Sequence, residues 1–412
     1  MSSKPARCKL ATLAQVCNLI PPYIVSKLAR KHGVDKKART FSPWSHVVTL
    51  LYAQLVHSLS LNDICDGLKN HAAKLFGVRQ ATPPRRNTLS HANKNREASM
   101  AEDLFWEVLS HLHKICPKFG GPHYKGMPRR FKRAIHVVDA TTIQLVANCM
   151  DWARHRRKKA AAKMHMRLDL QSFLPRFAVI DTARQSDSKR AREVCADIDK
   201  GEIVLFDKAY IDFDHLFELS VRGVFWVTRA KDNIQFICRK KMLERFDGPI
   251  IRDDLVLLKN QKSRSDYPEL FRYVEAWVEV DGKEVVMAFI TNNMEWAPSS
   301  IAELYKARWS IEVFFKQIKQ TLQLCDFLGH SKNAILWQIW TALLLYVLLR
   351  FLAFSNDWQY SFRPFFCVIS SLVWDCVILK ELLQSSGTAC GPPRAQATAE
   401  QAYFPGFGPN ST

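Results

Sequence analysis

The chain lacks both G-x-x-x-x-G-K-[ST] and G-x-G-x-x-G, which argues against an enzyme driven by ATP or built on a nucleotide cofactor. Its eleven cysteines include no C-x-x-C pair, and no His stands at zinc-finger spacing. A structural zinc site is therefore not expected, and buried free thiols in a reducing cytoplasm are. The N-terminal stretch MSSKPARCKLATLAQVCNLI has no clean apolar run and no small-residue cleavage site, so it does not read as a signal peptide. Only Ala334 to Phe354 is long and apolar enough to span a membrane. Gln338 inside it and Arg350 near its end favour a core helix instead. Acidic residues are scarce: 39 stand against 59 Lys and Arg, a net charge of +20 spread along the chain. Such a field favours a polyanion, of which nucleic acid is the commonest.

At 412 residues the chain can hold two or three domains. From about Leu10 to Ile115 the apolar spacing is helical, and Ser60 can cap a short helix beginning SLNDICDGL. A second short helix, NTLSHANKNR, follows with Asn87 or Thr88 as cap. The pair fits either a basic helical bundle or a helix-turn-helix laying Ser90, Asn93, Lys94 and Arg96 in a major groove. Lys118 to Arg133 reads as a linker. Beyond it AIHVVDATTIQL, MHMRLDLQSF, RFAVIDTAR, EIVLFDKAY and VFWVTRA read as strands, with a helix in IDFDHLFELSVRG closed by Gly223. Asp232 to Asn293 reads as mostly β, with a hairpin turn at Asp281-Gly282. Gly387 to Thr412 has the composition of a disordered tail.

Asp139 follows IHVV and Asp207 follows IVLF, so each ends an apolar strand, where open α/β sheets put their chemistry. YKARWSIEVFFKQIK, from Tyr305 to Lys319, reads as one helix. At 100° per residue Leu304, Ile311, Phe315, Ile318 and Leu322 form its buried stripe. Tyr305, Arg308, Glu312 and Lys319 lie along the edge of that stripe. Three carboxylates without His or Cys suit Mg2+ or Mn2+, and two such ions can activate a nucleophile and stabilise a leaving phosphodiester oxygen. Asp169, Asp181 and Asp187 are weaker candidates for the same place. His111 and His113, two apart on a helix, face different sides and make no metal pair. Trp277 and Trp296 are expected in a core.

Tyr, two residues, Arg, three residues, Glu, six residues, Lys resembles the signature of the IS4-type DDE transposases of bacterial insertion sequences. With Asp139 in VVDAT and Asp207 in FDKAY, the DDE triad of that family is matched in order. Lys163 and His165 resemble its K-x-H element, and Gln185-Ser186-Asp187 the turn after its middle strands. Its D-R-G-Y or D-G-G-Y motif is here Asp207, Lys208, Ala209, Tyr210, where Ala for Gly bears on the turn geometry. The resemblance implies an α/β fold with an RNase H-like mixed-sheet core and a β-rich insertion, preceded by an all-α N-terminal domain. The expected division is 1–117 helical and DNA-binding, 118–133 linker, 134–231 first part of the core, 232–296 insertion, 297–386 second part with C-terminal helices, and 387–412 tail. It further implies catalytic and metal-ligating roles for Asp139, Asp207 and Glu312, with Mg2+ or Mn2+ as cofactor. Tyr305, Arg308 and Lys319 would contact DNA phosphates, and an insertion Trp would stack a flipped base, as in some relatives. Implied partners are terminal inverted repeats and target DNA, with a homodimer in the DNA complex and no membrane. The expected activity is cutting at element ends and joining of 3′-OH ends to target DNA. A non-catalytic DNA-binding regulator and an RNase H-like nuclease are the alternatives.

Overall fold

The computed structural model describes residues 8–36, 38–120, 128–145, 149, 154–156, 159–182, 187–242, 248–280, 282–322, 324 and 327–386. The Gln185-Ser186 turn, Asp281, residues 121–127 of the expected linker and the tail lie outside these residues. Two compact units emerge. One comprises the described residues of 1–120, 143–162 and 315–400, the other those of 121–142 and 163–314.

The first unit is helical. Thr12–Cys17, Pro22–Lys31, Pro43–Leu55, Leu61–Asn70, Arg86–Asn95 and Ser99–Ile115 precede the 24-residue Lys332–Ser355. Leu61–Asn70 is capped as its sequence predicts, Ser60 Oγ accepting from Asp63 N–H at 3.2 Å. Arg86–Asn95 starts two or three residues earlier than an Asn87 or Thr88 cap would set, so both expected caps lie inside the helix, which has no side-chain cap. Lys332–Ser355 is apolar all round and buried nearly throughout, packed against Pro43–Leu55, Arg86–Asn95 and Ser99–Ile115. An all-round apolar helix enclosed by other helices is a core element. Its one internal amide, Gln338, accepts the Leu328 N–H at 2.7 Å. The C-terminal helices thus build the same core as the N-terminal ones, a grouping that the linear order of segments conceals.

The second unit is built on a mixed sheet. Its strands are β1 (Ile135–Leu145), β3 (Lys159–Asp169), β4 (Pro175–Thr182), β5 (Ile203–Phe206), β6 (Phe225–Arg229), β7 (Phe236–Lys241), β8 (Ile250–Leu258), β9 (Phe271–Val280) and β10 (Lys283–Thr291); short β2 (Arg154–Arg156), paired to the start of β3, falls within the residues of the first unit. The order is β3-β1-β5-β6-β10-β9-β8-β7, with β4 on β3. β1, β5 and β6 are parallel neighbours. β3 turns tightly into β4, the Asp169 N–H reaching Leu174 O at 3.0 Å. Strand order β4-β3-β1-β5-β6 is that of an RNase H-like core. Phe213–Val221 is closed by Gly223 at φ +72°, a left-handed conformation in which a side chain would be strained. Val194, Leu216 and Leu219 bury against Val204, Phe206 and Trp226 of the sheet.

The β-rich segment is not a separate body. β10 pairs antiparallel with β6, Ile290 opposite Thr228, so it prolongs the core sheet. β9 and β10 are joined at Val280 and Lys283 around Gly282 at φ +73°.

Candidate active site

Parallel pairing of β1 and β5 sets Val138 opposite Phe206. One step further along each strand stand Asp139 and Asp207, side by side on strands that neighbour each other at about 4.8 Å. The apolar run before each Asp is what places it: Ile135 to Val138 and Ile203 to Phe206 are all buried, which fixes where each strand emerges. Asp139 Oδ1 accepts the Ala140 N–H at 2.7 Å, and Asp207 Oδ1 accepts the Lys208 N–H at 2.6 Å. Lys208–Tyr210 is a single 3-10 turn capped by Asp207. Ala209 has no positive φ there, so Ala in place of Gly imposes no strain.

The third carboxylate arrives on a broken helix. The segment predicted as one helix divides into Pro298–Ala307, Ser310–Lys316 and a π-helical turn Gln317–Thr321. At the break, Arg308 N–H bonds Tyr305 O at 3.0 Å and Glu312 N–H bonds Trp309 O at 3.0 Å, three-residue spacings that tighten the turn. The predicted stripe holds: Leu304, Ile311, Phe315, Ile318 and Leu322 are all buried.

Arg308, 5% exposed, joins two of the carboxylates. Its Nη1 donates to Asp139 Oδ2 at 3.1 Å and its Nη2 to Glu312 Oε1 at 2.8 Å, while the guanidinium lies 5.5 Å from the Tyr305 ring centre. Burial lowers the Arg308 pKa, and Tyr305, Asp139, Glu312 and Asp207 together outweigh it, so the pKa rises. Burial pushes the Asp139 carboxyl up to about 6; Arg308 and the Ala140 amide oppose this, while Asp207 and Glu312 add to it. Asp139 therefore feels both other carboxylates as charges. Glu312 is the accessible member, its side chain 48% exposed. Among the described residues no three His, Cys, Asp or Glu side chains are close enough, as they stand, to hold a metal ion. The donor chemistry nevertheless fits a hard divalent cation: Asp139 and Asp207 stand at one sheet edge, Glu312 reaches Arg308 from its helix, and that guanidinium already bridges Asp139 and Glu312.

His165 is fully buried, its Nδ1 3.4 Å from the Tyr210 hydroxyl, so the K-x-H strand touches the Asp207 turn. Asp169 is a turn residue. Its Oδ1 accepts the Gln171 and Ser172 amides at 2.9 and 2.8 Å, and Arg176 pairs with its Oδ2 at 3.2 Å. Asp181 pairs with Arg190. Lys319 falls in the helical unit, half-buried in the π-helical turn, its pKa lowered by desolvation.

The groove-facing set in the helical unit requires correction. Asn93 is 3% exposed, and its Oδ1 accepts the His46 Nε2–H at 2.8 Å. Burial, then the Arg96 charge, lower the His46 pKa to about 3, so that ring is a neutral donor. Arg96 donates to the Ser42 carbonyl at 3.3 Å and to the Phe41 carbonyl. Both side chains tie the unit together rather than face outward; Ser90 and Lys94 remain exposed. Trp277 is corrected as well: on β9 it is 47% exposed, opposite Val286, not in a core. Trp296 packs against Phe131 and Phe225 with ring centres 5.0 and 5.2 Å away.

Sequence reasoning gave no role to Lys208, in the Asp207 turn, or to Lys231. Lys231 follows β6, the third parallel strand, at the same sheet edge as Asp139 and Asp207. The rule that found the two aspartates extends to that strand end.

A family profile described as a transposase DDE domain matches residues 130–348, and one described as a domain of unknown function (DUF4372) matches residues 9–78. The chain is similar to the transposase y4zB of Sinorhizobium fredii, 29% identical over 66% of this chain and 73% of that one. It is also similar to the insertion sequence IS5377 transposase of Geobacillus stearothermophilus, 28% identical over 54% and 58%, and to the IS231E transposase of Bacillus thuringiensis, 22% identical over 75% and 72%. A piggyBac transposase synaptic complex with hairpin DNA aligns with 93% of this chain and 84% of its own at 8% identity and a TM-score of 0.44.

Proposed function

Because the chain belongs to the DDE transposase family, of IS4 type, we propose that it cuts DNA at the ends of an insertion sequence and joins the freed 3′-OH ends to target DNA, with Asp139, Asp207 and Glu312 as the reacting centre. DNA is its partner, and the family implies a divalent metal, here Mg2+ or Mn2+. Held by the three carboxylates, such an ion supplies neutralising charge at the phosphate oxygens and an activated nucleophile. Asp139 and Asp207 hold fixed positions, since each carboxylate is tied to the next amide at a strand end. Arg308 keeps Asp139 and Glu312 together against their mutual repulsion. Tyr305 acts at a phosphate near the cleaved end, and Lys319 and Lys94 bind phosphates from the helical unit.

In the cutting step water adds to phosphorus, the P–O3′ bond breaks, and the departing oxygen takes a proton to become the 3′-OH. In the joining step that oxygen bonds a target phosphorus, and the target's own 3′ oxygen leaves with the proton. One phosphodiester replaces another, so the joining step consumes no nucleotide. We place the reaction in the bacterial cytoplasm, with a homodimer on the DNA. The observation that carries this reading is the in-register placement of Asp139 and Asp207 with Arg308 linking Asp139 to Glu312. The test is a strand-transfer assay with flanking element ends and Mg2+. Joined products are expected; nicks without joining indicate a nuclease, and end binding without nicks a regulator.

A further inference from the structure

We propose that Gln54 and His57, in the stretch that matches a domain of unknown function, are positioning residues: they hold the end of the π-helical turn Gln317–Thr321 and thereby aim Lys319. This rests on the reading of Lys319 as a phosphate-binding residue. The turn is wider than an α-helix, with the Leu322 N–H bonded to Gln317 O at 3.2 Å, five residues back. Such turns are rare and concentrate at functional sites, and relaxation to regular α-helix would rotate Lys319 about the axis. Lys319 is half-buried, so its ammonium reaches a partner only in the direction the turn gives it. A helix end leaves its last carbonyls without partners inside the helix. Here the Gln54 amide donates to Leu322 O and His57 Nε2 donates to Thr321 O at 2.9 Å, from 268 and 264 residues earlier in the chain.

His57 carries the stronger signal. It follows the helix Pro43–Leu55 and its Val56 cap, and its φ is +52°, the left-handed conformation at which helix ends favour Gly. The Ser58 N–H closes the turn on Ala53 O at 3.1 Å, the hydrogen bond of a glycine-type helix stop. A glycine would serve that backbone better, so the imidazole is there for what its ring reaches. The ring stacks on Phe366 of Phe362–Ser371, with centres 5.0 Å apart and planes at 18°, which fixes Nε2 toward Thr321 O. Strained backbone held by its surroundings is a mark of functional positions. Gln338 adds a third polar contact to the same segment, accepting the Leu328 N–H at 2.7 Å.

The test is a double-mutant cycle on the full chain. Binding of an element-end duplex is measured against salt concentration for wild type, His57→Gly, Gln54→Ala, Lys319→Ala and the two doubles that include Lys319→Ala. Gly suits the left-handed turn, so His57→Gly folds, and Gln54→Ala keeps a helix former. Cooperative melting checks both, and where one variant fails to melt cooperatively the other decides. Lys319→Ala should weaken binding about 5-fold at 0.15 M salt and lose about one counterion from the salt slope. His57→Gly and Gln54→Ala should each reproduce at least half of that loss in slope, and neither should weaken Lys319→Ala further. Losses that add to that of Lys319→Ala, or a slope left unchanged by His57→Gly or by Gln54→Ala, overturn the proposal. An unchanged slope in Lys319→Ala refutes the phosphate reading of Lys319 and the proposal with it.

Discussion

Arg308 in the sheet unit is buried and Arg96 in the helical unit is half-buried, and their surroundings treat them in opposite ways. Arg96 meets neutral carbonyls of Phe41 and Ser42, and burial pushes its pKa down to about 10. Arg308 meets Asp139 and Glu312, and its pKa rises in spite of burial. The first is a brace. The second sits where negative charge is gathered, and gathered like charge in a fold has to be answered by a cation. The comparison separates buried polarity that builds a core from buried polarity that builds a site.

The largest expected effect lies in the sheet unit. Asp139→Asn, Asp207→Asn and Glu312→Gln should each lower element-end cleavage by about a thousandfold or more, the scale of losing one group that stabilises developing charge. Sequence-specific end binding, measured on the same preparations, should stay near wild type. Cleavage by Asp207→Asn at a wild-type rate would remove that residue from the site. The matching change in the helical unit is Leu344→Asp, which places an unpaired carboxylate in the middle of Lys332–Ser355. Such a burial should cost more than about 4 kcal/mol and leave the protein aggregated. A soluble, normally melting Leu344→Asp protein would show that this helix is not core.

The two units also differ in how far they could be read from residues alone. In the sheet unit the signal is local: a short run of apolar residues followed by Asp fixes both the strand and the position of the carboxylate, and Val137-Val138 in β1 and Ile203 to Phe206 in β5 follow that pattern. In the helical unit, elements were legible but facing was not. Asn93 and Arg96 have the residue types of a groove-reading helix, yet their helix packs against Lys332–Ser355, more than 200 residues further on. A long-range contact of that kind leaves no trace in a short window. The break at Arg308 was hidden for a related reason, since YKARWSIEVFFKQIK contains no Gly or Pro to mark it. Trp277 shows the converse: an aromatic in a strand near the hairpin turn lies on the open side of the sheet.

Smaller effects sharpen the contrast. Arg308→Ala breaks a buried pair and should cost about 3 kcal/mol, and it should raise the Asp139 pKa further above 6, since Arg308 is the principal group holding it down. Arg96→Ala should cost about 1–3 kcal/mol through unsatisfied carbonyls and leave the Asp139 titration unmoved. NMR titration of the Asp139 carboxyl in both variants distinguishes them; equal shifts would erase the comparison.

A pH dependence of the helical unit completes the contrast. The folded His46 pKa, about 3, lies below its ordinary 6.5, so the unfolded chain takes up a proton that the folded chain refuses. Stability from this group is complete above about 6.5 and is lost as pH falls from there toward 3, by up to about 1.4 kcal/mol per pH unit. His46→Gln should flatten that part of the unfolding profile. A slope identical to wild type would place the titrating group elsewhere.

The central claim is that Asp139, Asp207 and Glu312 act as one site for a divalent cation, and Mn2+ binding measured by calorimetry on wild type and the three single carboxylate variants tests it without any DNA. Wild type should bind, and each variant should bind roughly tenfold more weakly or worse, since loss of even an outer-shell partner has that effect. Wild-type affinity in all three variants, or no binding by the wild-type protein, would contradict the account.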